Sequence, residues 1–215
     1  MIVAIDGPAG VGKSTIAKQI AERTGMHYIN SGNLYRAITW QILREYSDQP
    51  PEDPDKLIEI AKNCRVELKS DGFYVNSVRV EDYLHTDAVD TWVAQVSSIS
   101  EIRSIVNAEL RKIAFNVQSV VEGRDITTVV FPDAEVKVFL DASVETRAKR
   151  RYHQGVSELS IKEIEERIRR RDQIDRNKAV GRLEVANDAL YLDTSDLTID
   201  QVCEKVIDKI QKTAQ

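Results

Sequence analysis

The sequence contains few cysteines and no apolar run long enough to span a bilayer. Cys64 and Cys203 are the only cysteines among 215 residues. They are far apart and lack metal-ligand spacing, so we expect buried thiols in a reducing compartment. The chain starts directly with strand-like residues, without a basic leader or a long apolar segment. These absences predict a cytoplasmic protein that does not enter a membrane.

The sequence also has no excess of positive charge and no internal repeats. It carries 30 basic and 35 acidic residues, which give a net charge of −5. An acidic protein is not attracted over its whole surface to a nucleic-acid polymer or to an anionic membrane, so both are excluded as general partners. The length and the 42% hydrophobic content predict one main domain with an insertion. Nothing in the sequence determines the oligomeric state, and we expect a monomer.

A phosphate-binding loop is present near the N-terminus. The segment Gly7–Ser14 fits the pattern Gly-x-x-x-x-Gly-Lys-[Ser/Thr], after a short apolar strand and before a helical pattern. Glycines let the main-chain N–H groups turn toward a triphosphate, and the helix N-terminus favours anions. Lys13 is expected to reach the β- and γ-phosphates, and the Ser14 hydroxyl is expected to bind Mg²⁺. The predicted ATP-binding residues are Gly7, Pro8, Ala9, Gly10, Val11, Gly12, Lys13, Ser14 and Thr15.

Strands alternate with helices through most of the chain, which predicts an α/β fold of the P-loop NTPase type. The expected core is a parallel sheet covered by helices on both faces, formed by residues 1–63 and 91–215. Residues 64–90 differ, because they contain short alternating segments with a hairpin signal at Ser70–Gly72. We therefore predict a small antiparallel β insert at 64–90.

A basic segment follows the last core strand but one. Arg147, Arg150 and Arg151 precede a polar loop that contains Gly155, and residues 147–163 are predicted to form a lid over the phosphates. The alternative for each arginine is an ordinary solvated helix face. Phosphoryl transfer depends on positioning and on cations around the migrating group, so a basic lid favours a kinase.

Other P-loop proteins are GTPase switches and motor ATPases. A GTPase would usually carry Asn-Lys-x-Asp, whereas Asn177-Lys178 continues with Ala179-Val180, which disfavours that class. Over nearly the whole chain, five segments resemble the bacterial cytidylate kinases, a family of P-loop nucleoside monophosphate kinases, and those at 31–36 and 122–134 are far more specific than the P-loop. These segments are Ile5–Thr15, Ser31–Arg36, Glu122–Asp125 with Thr128–Ala134, Arg171–Val180 and Asp188–Leu190.

The resemblance implies transfer of the γ-phosphoryl group of ATP to CMP or dCMP, with the β insert on the acceptor side. It also implies that Arg36 and Arg124 hold the CMP phosphate, while Arg171 and Asp175 bind ribose hydroxyls. The residues that it assigns to the acceptor are Ser31, Tyr35, Arg36, Arg103, Gly123, Arg124, Asp125, Arg171, Asp175 and Lys178. The candidates for catalysis are Lys13, Arg124, Asp125, Arg147 and Arg151. An ordinary surface pair is the alternative for Arg171 with Asp175.

The implied cytosine contacts are Ser31, Arg103, Asp125 and Lys178. Cytosine offers an amino donor and two acceptors, which one carboxylate beside Arg and Ser donors would match, whereas uracil would turn a carbonyl toward Asp125. Lys178 stands where the family usually has arginine, Ala94 where a serine is frequent, and His85-Thr86-Asp87 where an arginine is usual. We therefore expect CMP to be preferred over UMP by a reduced margin.

Two alternatives remain at this stage. One is a P-loop kinase of another nucleoside monophosphate or of a small metabolite. The other is a non-catalytic switch protein that uses ATP to change shape.

Overall fold

The computed structural model describes residues 1–46, 49–69, 71–115, 117–153 and 159–214. The strands are β1 (Ile2–Asp6), β2 (His27–Asn30), β3 (Val66–Lys69), β4 (Gly72–Val75), β5 (Val78–Arg79), β6 (Ser119–Gly123), β7 (Val136–Asp141) and β8 (Leu190–Asp193). The helices are α1 (Lys13–Thr24), α2 (Ser31–Glu45), α3 (Pro54–Asn63), α4 (Asp87–Val96), α5 (Ser100–Ala114), α6 (Val144–His153), α7 (Ile161–Asn177) and α8 (Ile199–Thr213). The chain divides into two compact units, Met1–Ile29 with Val117–Gln215, and Asn30–Asn116.

The first unit is built on a five-stranded sheet in the order β2-β6-β1-β7-β8. The neighbours β1 and β6, β1 and β7, and β7 and β8 are parallel, which confirms the predicted parallel sheet. Asp6 at the end of β1 pairs in register with Gly123 of β6 and with Phe139 of β7. The carboxyl ends of these strands therefore lie side by side, where ligands bind in open α/β sheets.

Helices α1 and α8 pack on this sheet through apolar side chains. Ile16 and Ile20 of α1 and Val202 and Val206 of α8 lie in one buried cluster with the valines and isoleucines of β1 and β7. Such near-continuous apolar strands are typical of parallel sheets buried on both faces. Cys203 is also buried in this cluster, and Cys64 is buried elsewhere, with both thiols free as predicted.

Helix boundaries follow the capping signals of the sequence. Gly25 ends α1 in a left-handed conformation, which glycine adopts without the steric penalty of a Cβ. Ser160 and Glu163 form the predicted capping box at the start of α7, so two exposed N–H groups of the first turn are satisfied.

The second unit contains α2 to α5 and a three-stranded sheet in the order β3-β4-β5. Both strand pairs are antiparallel, which confirms the predicted small sheet. Ser70 of the hairpin signal lies outside the described residues, and Lys69 pairs with Gly72 across the turn. The functional boundaries expected for the insert remain a prediction. Within the described ranges, no helix is both long and apolar enough to cross a membrane.

Candidate active site

The phosphate loop runs from the end of β1 to the start of α1. Gly7, Gly10 and Gly12 have φ values of 156°, 76° and 97°, a region that residues with a Cβ rarely adopt. A Cβ on Gly7 would lie 2.2 Å from the carbonyl oxygen of Leu140, so only glycine fits where the loop passes β7. Space and backbone conformation together account for the glycines of the motif.

Lys13 is folded back over the loop that precedes it. Its Nζ donates hydrogen bonds to the carbonyl oxygens of Gly7 and Pro8, each at 2.8 Å, and the residue is 6% exposed. Burial and then the charge of Arg124 lower the pKa of Lys13 from 10.5 to about 7, although nearby carboxylates oppose the change. A bound phosphate would favour the charged form, so Lys13 is suited to bind an anion here.

Ser14 faces a carboxylate at the end of β6. Its Oγ donates to Glu122 Oε1 at 2.5 Å, and the Tyr28 hydroxyl donates to the same oxygen at 2.9 Å. Glu122 is only 4% exposed. A hydroxyl beside a carboxylate fits Mg²⁺, which prefers oxygen ligands and usually takes one or two from the protein, with waters and phosphates completing its shell. Among the described residues, no group of three or more His, Cys, Asp or Glu side chains is arranged for a metal.

Glu122 was not assigned by the sequence analysis. Glu122 could have been found as an acidic residue at the end of a buried strand. That strand pairs with β1, and Ile5 lies opposite Glu122 in the register. That register depends on sheet order, which the local pattern does not reveal.

Asp6 holds the segment that follows Arg124 and Asp125. Its carboxylate accepts hydrogen bonds from the Ile126 N–H at 2.9 Å and from the N–H and hydroxyl of Thr127, both at 2.7 Å. Burial raises the pKa of Asp6, and these hydrogen bonds act in the opposite direction. Residues Ile126–Val130 form one π-helical turn, a rare conformation that is frequent near functional sites.

Arg124 lies between the phosphate loop and a buried carboxylate. Its Nη1 donates to the carbonyl oxygen of Gly7 at 3.2 Å, and its Nε donates to Asp175 Oδ2 at 3.1 Å. Arg171 Nε also donates to Oδ2 at 3.2 Å, and Lys178 Nζ lies 3.0 Å from Oδ1. The structure thus brings four of the predicted acceptor residues into one cluster.

Asp175 is the centre of this cluster and is 1% exposed. Burial raises the pKa of its carboxyl, but the charges of Arg124, Arg171 and Lys178 outweigh burial and hold the pKa at about 2. Arg171 with Asp175 is therefore more than a solvated pair on one helix, because the carboxylate is buried and shared by three cations.

Two arginines of the basic segment on α6 contact other parts of the protein and are not simply part of a solvated helix face. Arg147 is buried and contacts Asp172 and the carbonyl oxygen of Ala9. Arg150 donates to the carbonyl oxygen of Thr194 at 2.6 Å. Residues 154–158 of the predicted lid, with Gly155, lie outside the described residues.

Arg151 is exposed and lines a cleft of about 220 Å³ next to the phosphate loop. The cleft combines three guanidinium groups with an apolar wall, so it is suited to an anionic ligand. Its lining residues are Ala9, Arg151, Leu159, Ile164, Arg167, Ile168 and Arg171.

The second unit contains four other predicted acceptor residues, Ser31, Tyr35, Arg36 and Arg103, whereas Gly123 and Asp125 belong to the first unit. Arg103 is buried, lies 5.5 Å from the centre of the Tyr35 ring and donates to the carbonyl oxygen of Ser97 at 3.2 Å. Arg36 donates to the carbonyl oxygen of Leu84 at 3.0 Å and forms an ion pair with Asp90. Ser31 is buried at the first position of α2. Their roles toward an acceptor remain predictions.

Comparison with known proteins shows the family to which this chain belongs. Residues 3–212 match the family model described as cytidylate kinase. A cytidylate kinase from Borrelia hermsii is 42% identical over 213 residues, 96% of each chain. A cytidylate kinase from Caldanaerobacter subterraneus subsp. tengcongensis is 39% identical over 216 residues, 99% of this chain and 96% of the relative. An uncharacterized protein from Eubacterium ventriosum has the same fold, with a TM-score of 0.56 at 14% identity over 98% of both chains. The chain belongs to the cytidylate kinase family.

Proposed function

We propose that the protein transfers the terminal phosphoryl group of ATP to CMP and dCMP, with Mg²⁺, and forms the diphosphates. The observation that carries this proposal is the convergence of two cations on one atom. Lys13 Nζ and Arg124 Nη1 lie 2.8 Å and 3.2 Å from the carbonyl oxygen of Gly7. A cation of the phosphate loop and the arginine assigned to the acceptor phosphate are thus next to each other, as transfer between two phosphates requires.

On the donor side, the loop amides and Lys13 bind the triphosphate. Lys13, Arg124 and the exposed Arg151 supply positive charge as the bond to the bridging oxygen of ADP breaks and the bond to an acceptor phosphate oxygen forms. Ser14 and Glu122 would hold the metal, with the Tyr28 hydroxyl fixing one oxygen of Glu122. A metal ion held there would supply positive charge to the phosphate groups of ATP.

On the acceptor side, the proposal keeps the assignments implied by the family. Asp125 accepts the cytosine amino group and orients the acceptor, and Asp175 and Arg171 bind ribose hydroxyls. The acceptor phosphate has a pKa low enough that transfer needs no strong general base. A uracil carbonyl facing Asp125 would leave a buried polar group unpaired, which costs about 1 to 3 kcal/mol.

The test is a coupled assay of ADP formation with a panel of nucleoside monophosphates. We expect the highest kcat/KM with CMP and dCMP and a lower value with UMP, and we expect Lys13→Ala to abolish turnover while the variant stays folded. Equal kcat/KM values for CMP and UMP would contradict the role of Asp125. Slow ATP hydrolysis that no acceptor stimulates would instead identify a switch protein.

The oligomeric state, the compartment and the partners of the protein are also part of the proposed function. We expect a monomer that works in the cytoplasm without a nucleic-acid polymer or a membrane as partner. Sedimentation of the purified protein measures its oligomeric state, and a dimer at micromolar concentration would contradict the expected monomer.

A further inference from the structure

Arg147 has the most completely occupied guanidinium group of the basic segment on α6. Its Nη1 and Nη2 donate to the two carboxylate oxygens of Asp172 at 3.1 Å and 2.6 Å. Its Nε donates to the carbonyl oxygen of Ala142 at 2.9 Å, and Nη1 also donates to the carbonyl oxygen of Ala9 at 3.1 Å. Four of the five N–H groups of an arginine are thereby used, so no pair of parallel donors remains for a phosphate.

From the sequence, Arg147 is predicted to be a cation acting on the migrating phosphoryl group. The contacts favour a different role, because Arg147 is 3% exposed and its side chain joins four segments of the chain. These segments are α6, which carries Arg147, α7, which carries Asp172, the residue that follows β7, Ala142, and the phosphate loop at Ala9. We call Arg147, Asp172 and the carbonyl groups of Ala9 and Ala142 the loop brace.

The phosphate loop lies directly against this side chain. A Cβ on Gly10 would be 3.6 Å from the Cβ of Arg147, which is ordinary van der Waals contact. The carbonyl group of Ala9 is therefore held by a hydrogen bond from Arg147, and the next residue leaves room for no more than one methyl group between the loop and this side chain. Beneath the brace, α6 and α7 pack through a small apolar cluster formed by Ala148, Ile164 and Ile168, with Val144, Leu159 and Ile161 against it.

The brace also borders the basic cleft. Ala9 lines that cleft on the loop side, and Arg151, Arg167 and Arg171 line it from α6 and α7. Asp172 follows Arg171 directly, so the carboxylate that holds Arg147 is anchored beside a cleft arginine. We propose that Arg147 and Asp172 are positioning residues that keep the loop main chain aligned with Arg151 and Arg167, and that they thereby set the affinity for the ATP phosphates.

This inference rests on the proposed function only in naming ATP as the ligand of the loop. The brace lies at the loop and the cleft, so its loss should weaken ATP binding and leave the acceptor affinity alone. An arginine acting on the migrating group would behave differently, because its loss would lower kcat with little change in ATP affinity.

The variants are Asp172→Asn, which removes the charge and keeps the shape, and Arg147→Lys, which keeps the charge and loses the planar fork. The first readout is the Kd of a fluorescent ATP analogue without acceptor, and the second is the pair of KM values for ATP and CMP. We expect both variants to raise the Kd about tenfold and to leave the KM for CMP within about twofold. The double variant should be little weaker than either single variant, since both changes break one unit.

Glu165→Gln is the matched control, because it breaks the surface ion pair with Arg169 on the same helix and should leave the Kd unchanged. Asp172→Glu retains the carboxylate and should recover most of the affinity, and thermal melts show that each variant is folded. An unchanged Kd in folded Asp172→Asn would overturn the inference. So would an equal rise in the KM for ATP and for CMP, or effects that multiply in the double variant. If the unmodified protein binds the ATP analogue but does not phosphorylate CMP, the proposed function fails while the brace is still tested.

Discussion

Raising the pH from 7.5 to 9 should weaken the binding of metal-free ATP to this protein about 25-fold. The reason is the buried ammonium group of Lys13, whose pKa lies at about 7 in the free protein. Phosphate groups bind the protonated form, so free protein that has lost this proton must take it up again when ATP binds. Affinity then falls about tenfold for each pH unit well above the pKa.

The magnitude distinguishes a shifted lysine from an ordinary one. With its ordinary pKa of 10.5, Lys13 would stay protonated up to pH 9, and the affinity would change by only about 3%. The nucleotide itself contributes little in this range, because phosphate esters have their second pKa at about 6. The slope therefore reports the protein.

The assay is the Kd of ATP by titration calorimetry in EDTA at half-unit steps from pH 7.5 to pH 9. Lys13→Arg is the control, because a guanidinium keeps its charge throughout this range and should remove the slope. A Kd that stays constant in the unmodified protein would refute the reasoning, since Lys13 would then be charged before ATP arrives.

The same pKa has the opposite consequence for folding. Between pH 7 and 10.5, the unfolded chain holds a proton on Lys13 that the folded chain lacks. The contribution of Lys13 to the free energy of unfolding therefore rises with pH across this window, by up to about 1.4 kcal/mol per unit, and is lost below pH 7.

Three substitutions test other parts of the site. Gly7→Ala should lower the free energy of unfolding by about 2 kcal/mol or more and abolish ATP binding, because its Cβ would meet the Leu140 carbonyl oxygen; a normal melting temperature would contradict this. Glu122→Gln should raise the Mg²⁺ concentration for half-maximal activity roughly tenfold by weakening the site at Ser14; an unchanged Mg²⁺ titration would show that Glu122 has no part in metal binding. Asp175→Asn should lower the free energy of unfolding at pH 7 by about 2 kcal/mol, measured in urea. Because the folded pKa of Asp175 is about 2 and its ordinary value is 3.8, this difference should vanish as the pH falls from 5 toward 2, and a difference independent of pH would count against the ion cluster.

The features that follow from local rules were predictable from the sequence. The glycines at 7, 10 and 12 predict a loop that residues with a Cβ could not form, and the structure gives all three positive φ values. Ser160 with Glu163 predicts a capping box because both partners lie within one helical turn. Alternating short segments likewise predict the small antiparallel sheet, since a hairpin needs only neighbouring strands.

The features that were missed depend on sheet order or on distant partners. Ser14 and Glu122 are 108 positions apart and meet because β6 lies next to β1. Arg147 and Asp172 are 25 positions apart on different helices, so the sequence showed a row of arginines without showing which of them is already bound. Charge patterning identifies candidate cations, but burial and partners decide whether a cation is available to a ligand.

Asp6 connects the phosphate loop, which starts at the next residue, to the segment that follows β6. Its side chain holds the backbone of residues 126 and 127, while the next residue, Gly7, opens the phosphate loop. Only three residues, Arg124 to Ile126, lie between the end of β6 and the second N–H group that Asp6 binds, and their number therefore fixes the position of that segment. One extra residue there would move the two N–H groups away from both Asp6 carboxylate oxygens, so the chain length at this point fixes where the segment after β6 stands against the phosphate loop.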